Sequence, residues 1–136
     1  MARRKAKRRR YTPHKGAFKI QIADIFDEVT EEVKGALYEA SDTIGEQAAQ
    51  KLQATSPKGK TGSYAEGWEY MQRADGGVVY NATDYQLTHL LEFGHAVRPR
   101  PTHKGKKRRV AAIPHIAPVE QWANQELMNT ITRLLQ

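Results

Sequence analysis

From Ile22 to Thr55 the apolar residues recur at steps of three or four: Ile22, Ile25, Phe26, Val29, Val33, Ala36, Leu37, Ala40, Ile44, Ala48 and Leu52. This spacing predicts one amphipathic helix of about nine turns, roughly 45–50 Å long at about 1.5 Å per residue. Asp24, Asp27 and Glu28 suit the positive end of its dipole, Lys51 sits near its other end, and Ser56-Pro57 stops it. Gly35 and Gly45 each weaken the helix by about 1 kcal/mol relative to alanine, and mark close packing or a bend. Part of the stripe is expected to pack on the domain's own sheet and part to face a neighbouring subunit.

A Gly/Pro/Lys loop spans 56–62. Alternation then predicts a hairpin: Trp68, Tyr70 and Gln72 on one face against Glu69, Met71 and Arg73, a turn at Asp75-Gly76-Gly77, and a return through Val78-Val79-Tyr80. Tyr85 to Phe93 reads as a short helix with Leu87, Leu90 and Leu91 on one face, ended by Gly94. A projecting basic loop at 95–109, a strand at Val110 to Ile113, a rigid corner at Pro114 to Pro118 and a helix from Pro118 or Val119 to Leu134 complete the chain. No internal repeat is present. The expected fold is α+β, with a small, mainly antiparallel sheet packed against a long N-terminal helix and a C-terminal helix. Its core is expected to rest on Trp68, Tyr70, Val79, Leu87, Leu90, Leu91, Ile113 and Trp122 with the stripe of the first helix.

Charge changes this picture. The 136 residues carry a formal net charge of +7, but the excess sits in two blocks. Residues 1–15 hold Arg3, Arg4, Lys5, Lys7, Arg8, Arg9, Arg10 and Lys15 with no acid, and residues 98–109 hold Arg98, Arg100, Lys104, Lys106, Lys107, Arg108 and Arg109 with no acid. Outside them, seven basic residues face fifteen acidic ones, and eight of those acids lie between Asp24 and Glu46 with only Lys34 opposing them. The chain therefore reads as an extended basic arm at 1–15 attached to one domain at 16–136, whose acidic body carries a second basic appendage. Segregation of this kind pairs with a complementary surface, either nucleic acid or another copy of the chain. The arm suits phosphates or an acidic protein surface equally, or merely dangles, and only Tyr11 beside it can stack on a base.

Candidate chemistry is sparse. There is no cysteine, which excludes disulfides and thiolate metal sites, and no phosphate-binding glycine loop or nucleophile elbow. No apolar run approaches the roughly 18 residues of a membrane span, and no apolar stretch follows the basic start as a secretory signal requires. The expectation is a soluble chain of the cytoplasm, or of something assembled there. His89, Glu92 and His95, with His115 further on, are competent metal ligands, but they lack a recognised ligand spacing and Gly94 breaks the helix before His95. The plainer reading is that these side chains bond backbone groups where the short helix, the loop and the Pro114-His115-Ile116 corner meet, with no metal or cofactor. A metal-dependent hydrolase built on His89, Glu92 and His95 is the weakest of three readings.

The string Leu87-Thr88-His89-Leu90-Leu91-Glu92-Phe93-Gly94-His95, followed about twenty residues later by Pro114-His115-Ile116-Ala117-Pro118, resembles the Hong Kong 97 gene-product-ten-like proteins of tailed bacteriophages, in the variant common in phages of Gram-positive hosts. Many relatives have E-F-G-T and P-F-x-x-P-A at these places; here His95 replaces the threonine, and His115 and Val119 replace the phenylalanine and alanine. A long helix, then Pro57, then Thr61-Gly62 leading into a strand follow the same order, so the resemblance covers roughly Ile20 to Leu134 and omits residues 1–15. It implies a structural virion protein of the neck, assembled in the host cytoplasm, that joins the DNA-filled head to the tail or completes the tail. It implies no enzymatic activity, catalytic residue or cofactor. It also implies a ring of identical subunits, six-fold favoured over twelve-fold, beside head-closure, portal or adaptor, tail-terminator or tail-tube proteins. The two basic blocks are then expected to touch the adjacent subunit or ring, or the DNA in the channel. The alternative is a basic nucleic-acid-binding protein, ribosome- or nucleoid-associated.

Overall fold

The computed structural model describes residues 16–97 and 108–136. The proposed arm (Arg3, Arg4, Lys5, Lys7, Arg8, Arg9, Arg10) and five cations of the second block (Arg98, Arg100, Lys104, Lys106, Lys107) lie outside the described residues. The described residues form five strands: β1 (Phe18–Gln21), β2 (Trp68–Arg73), β3 (Gly76–Asn81), β4 (His95–Val97) and β5 (Arg108–Val110). The helices are α1 (Glu31–Thr55), α2 (Ser63–Glu66), α3 (Tyr85–Phe93) and α4 (Ile116–Leu134), with a 3-10 helix at Ala23–Glu28. The fold is α+β: an antiparallel sheet in the order β1-β3-β2, with α1 and α4 packed against it. β4 and β5 form a separate two-stranded ribbon.

The predicted hairpin is present, with Arg73 opposite Gly76 and Trp68 opposite Asn81. β3 is the central strand, and Val78 and Val79 are both buried, as expected for a strand covered on both faces. β1 was not among the predicted elements. Its alternation is regular but only four residues long, with Phe18 and Ile20 inward and Gln21 outward.

The first helix starts later than its apolar period predicts. Ile22, Ile25, Phe26 and Val29 do keep three-to-four spacing, yet the backbone runs through a 3-10 helix and then turns extended at Val29 and Thr30. Thr30 accepts a hydrogen bond from the Val33 amide at 3.3 Å, and Glu31 and Glu32 follow in the first turn. A local cap thus begins a new helix inside a continuous apolar pattern. α1 has 25 residues and is about 37 Å long at about 1.5 Å per residue. It ends at Ser56, as expected. Gly45 is a close-packing position: a Cβ there would sit 2.1 Å from the Tyr70 ring, whereas Gly35 faces open space.

The core joins Phe18, Ile20, Ile22, Leu37, Leu52 and Trp68 with Ile116, Val119, Ala123 and Leu127 of α4. Tyr70, Leu91 and Trp122 pack against it half-buried. Leu87, Leu90 and Ile113, expected in the core, are exposed instead. The inward face of α3 is polar: Thr88 and Glu92 are buried, a quarter-turn or more away from Leu87 and Leu90. The last strand is also shifted, to Arg108–Val110, and α4 begins at Ile116 rather than Pro118 or Val119.

Candidate functional site

The two segments that carry the family resemblance meet at Glu92. This side chain is on the last turn of α3 and is 7% exposed. Its Oε2 accepts hydrogen bonds from the amides of His115 (2.8 Å) and Ile116 (2.9 Å), and its Oε1 accepts one from Ala117 (3.0 Å). These are free N–H groups at the start of α4, which has no side-chain cap of its own. Glu92 therefore caps α4 from another helix and places its charge at the positive end of the α4 dipole. Burial alone raises the Glu92 pKa; the three amides and the neighbouring His115 ring outweigh it and hold the carboxyl below its usual value. The Ile113 amide donates to Leu91 O at 2.8 Å, tying the same two segments by backbone.

His115 extends the joint. Its Nδ1 lies 2.7 Å from Ile113 O and 3.0 Å from Glu92 Oε2, both acceptors, so hydrogen bonding places the ring hydrogen on Nδ1. Nε2 is then free to accept from the Tyr64 hydroxyl at 2.6 Å. Burial, followed by the Glu92 charge, pushes the Tyr64 phenol well above its usual range, so it stays a donor. Tyr64 packs edge-on against Trp68, whose Nε1 donates to Ser56 Oγ at 2.8 Å at the end of α1. One connected set of side chains thus fastens the end of α1, α2, the start of β2, α3 and the start of α4.

Gly94 aims the ribbon. Its φ of 72° and ψ of 173° belong to a region essentially restricted to glycine, and a Cβ there would sit 2.5 Å from Val110 O. Gly94→Ala is expected to cost about 1–3 kcal/mol. Hydrogen exchange checks this: the amides of β4 and β5 should lose protection while β1, β2 and β3 keep theirs.

The other predicted residues divide sharply. Thr88 is fully buried and bonds Tyr85 O, while Leu87, Leu90 and Phe93 face outward. His89 is exposed and packs edge-on against Phe93. His95 begins β4, with Nδ1 buried and no hydrogen-bond partner among the described residues. Pro114 and Pro118 are exposed, and Ile116 is buried. Arg108 and Arg109 are exposed on β5. Among the described residues no three His, Asp or Glu side chains are placed to hold a metal ion, and the polar atoms of Glu92 and His115 are committed to the joint. Among the described residues no helix is long and apolar enough to cross a membrane.

Exposed acids cluster at one end of α1. The start of α1 lies beside the β2–β3 turn, where the Tyr38 hydroxyl bonds Ala74 O, and it carries exposed Asp24, Asp27, Glu28, Glu31 and Glu32 nearby. The other end of α1 lies at the Trp68–Tyr64–His115 joint, next to α3 and the basic ribbon. The chain also enters the described residues at that end, since Gly16 packs directly on Thr88. Both basic blocks of the sequence therefore join the described residues near α3, away from the acidic cluster at the start of α1. Reasoning from sequence found the blocks but not this arrangement, which depends on how α3 docks.

No family model, curated protein or solved structure matches the chain.

Proposed function

We propose that this chain is a structural subunit of the neck of a tailed bacteriophage, joining the DNA-filled head to the tail as one copy in an oligomeric ring. The observation that carries the reading is the distance between two unlike patches: the cluster of exposed acids at the start of α1, and Arg108 and Arg109 on the ribbon beyond α3. A ring needs two different patches per subunit, one meeting the other on the next copy, and two separated patches of opposite charge supply them. The resemblance adds support, because the two strings that carry it form a single joint around Glu92. That joint is built to hold a shape, with buried groups satisfied by backbone and by one another rather than left facing a substrate. Head-closure, portal or adaptor, tail-terminator and tail-tube proteins are the neighbours this reading implies, and the virion is its location.

Reversing Lys106, Lys107, Arg108 and Arg109 to glutamate is expected to yield heads without tails and free tails. Infectious particles in normal number from that mutant would refute the reading. The second reading, a basic nucleic-acid-binding protein, draws on the fifteen basic residues in the two blocks. It requires tight binding to duplex DNA or RNA that weakens steeply with salt. A gel shift across a salt series separates the two, because the neck reading expects weak or no binding by the isolated chain.

A further inference from the structure

We infer that the outward apolar face of α3 together with the β4–β5 ribbon is a subunit contact, and that it seats on the 3-10 helix and first turns of α1 of a second copy, head to tail. This rests on the oligomeric part of the neck reading, not on the virion assignment. Leu87, Leu90 and Phe93 are 37%, 39% and 63% exposed and lie on the side of α3 turned away from Thr88 and Glu92. The ribbon adds further exposed apolar side chains. His95 pairs with Val110 and Val97 with Arg108, so by alternation Val97, Val110 and Arg108 share one face. Both valines on it are exposed. A two-stranded ribbon without a sheet or a covering layer is marginal in water, and here every residue of β5 is exposed. The protomer thus sets the ribbon's direction through Gly94, and no described residue covers its apolar face, which marks an interaction surface.

Charge chooses the occupant. A contact of this face with itself would bring Arg108 of two copies together. The start of α1 and the 3-10 helix before it offer the complement: exposed Asp24, Asp27, Glu28 and Glu32 interleaved with half-buried Ile25, Phe26 and Val29. At that end Lys34 is already paired with Glu31 at 3.0 Å. Acid and apolar groups alternate there as basic and apolar groups do on the ribbon. Each copy then retains one unused end for the next.

Because the natural chain has no cysteine, introduced thiols report contacts cleanly. The full-length chain carrying Leu90→Cys and Glu28→Cys together should form a ladder of disulfide-linked dimers, trimers and larger species on mild oxidation, while Leu90→Cys alone should not link to itself. By light scattering, R108E and D27K/E28K should each be monomeric alone and should assemble when mixed; Phe93→Asp should be monomeric with an unchanged circular dichroism spectrum. Self-linking of Leu90→Cys would overturn the head-to-tail arrangement. Assemblies indifferent to Phe93→Asp and to both charge reversals would overturn the contact while leaving a ring by another face, and hence the neck reading, standing. A parent chain that is monomeric at every concentration, with no ladder, would also overturn it. Tailed particles of normal appearance from the four-site charge reversal would count against the neck reading instead.

Discussion

Glu92→Ala is expected to cost about 3–5 kcal/mol of folding stability, a large share of the roughly 5–15 kcal/mol available to a domain of this size. Three amides of the α4 start lose their acceptor at once, and hydrogen bonds to a charged group are worth about 1.5–3 kcal/mol each when buried partners are left unmet. Glu92→Gln should fall between the two, since it keeps one acceptor oxygen but turns an amide donor toward converging donors. Urea unfolding at neutral pH measures both. The dependence on pH has a definite sign. The folded-state pKa of Glu92 is lowered from 4.5, so the stabilisation is fully present above that value and is lost as pH falls through the lower folded-state value. Glu120, in the first turns of α4, is shifted the other way, by desolvation and then by the Glu92 charge. The relevant quantity is therefore the difference between parent and Glu92→Gln, which should shrink as the solution is acidified below about 4.5. A difference that stays constant down to strong acid would mean that the carboxylate does not hold α4.

Trp68→Ala is expected to cost a similar amount, about 3–5 kcal/mol, for a different reason. Trp68 is 1% exposed and is the largest fully buried side chain among the described residues. Truncating it opens a cavity between α1 and β2, removes the edge-on partner of Tyr64, and leaves the Ser56 hydroxyl without its indole N–H. Trp68→Phe should recover much of the packing but not the hydrogen bond. Denaturant midpoints should order parent, then Trp68→Phe, then Trp68→Ala. Equal midpoints for the two variants would mean that cavity volume is not what sets the loss. Both Glu92 and Trp68 act on the same joint, so their double variant should depart from additivity.

Much of the fold was legible because local signals agreed with the final packing. The β2–β3 hairpin was readable from alternation around Asp75-Gly76, and α3 from its apolar spacing closed by Gly94. The break at Thr30 was not readable from periodicity, because the 3-10 helix keeps apolar steps of three and so continues the α-helical pattern; the Thr-Glu-Glu cap was the available sign. β1 and α2 were too short, at four residues each, to stand out from the segments around them.

The site was legible in part. The segments around Glu92 and His115 were expected to meet, with polar side chains bonded to backbone, and Glu92 and His115 do this. His89 does not join them. Apolar residues on α3 were assigned inward because a short amphipathic helix usually buries its leucines. Here the deep position goes to Glu92, since an orphan helix terminus buried beside it needs an acceptor more than the core needs another leucine. Tyr64 was missed altogether. It lies in a four-residue helix, and its link to His115 spans 51 positions, a distance over which no local pattern operates.

The neck assignment is tested most directly by electron microscopy of particles produced when the gene for this chain carries an early stop, with the intact gene supplied in trans as the control. The reading predicts DNA-filled heads and separate tails, restored to joined particles by the intact chain. Joined, normal particles in the absence of the chain would contradict it.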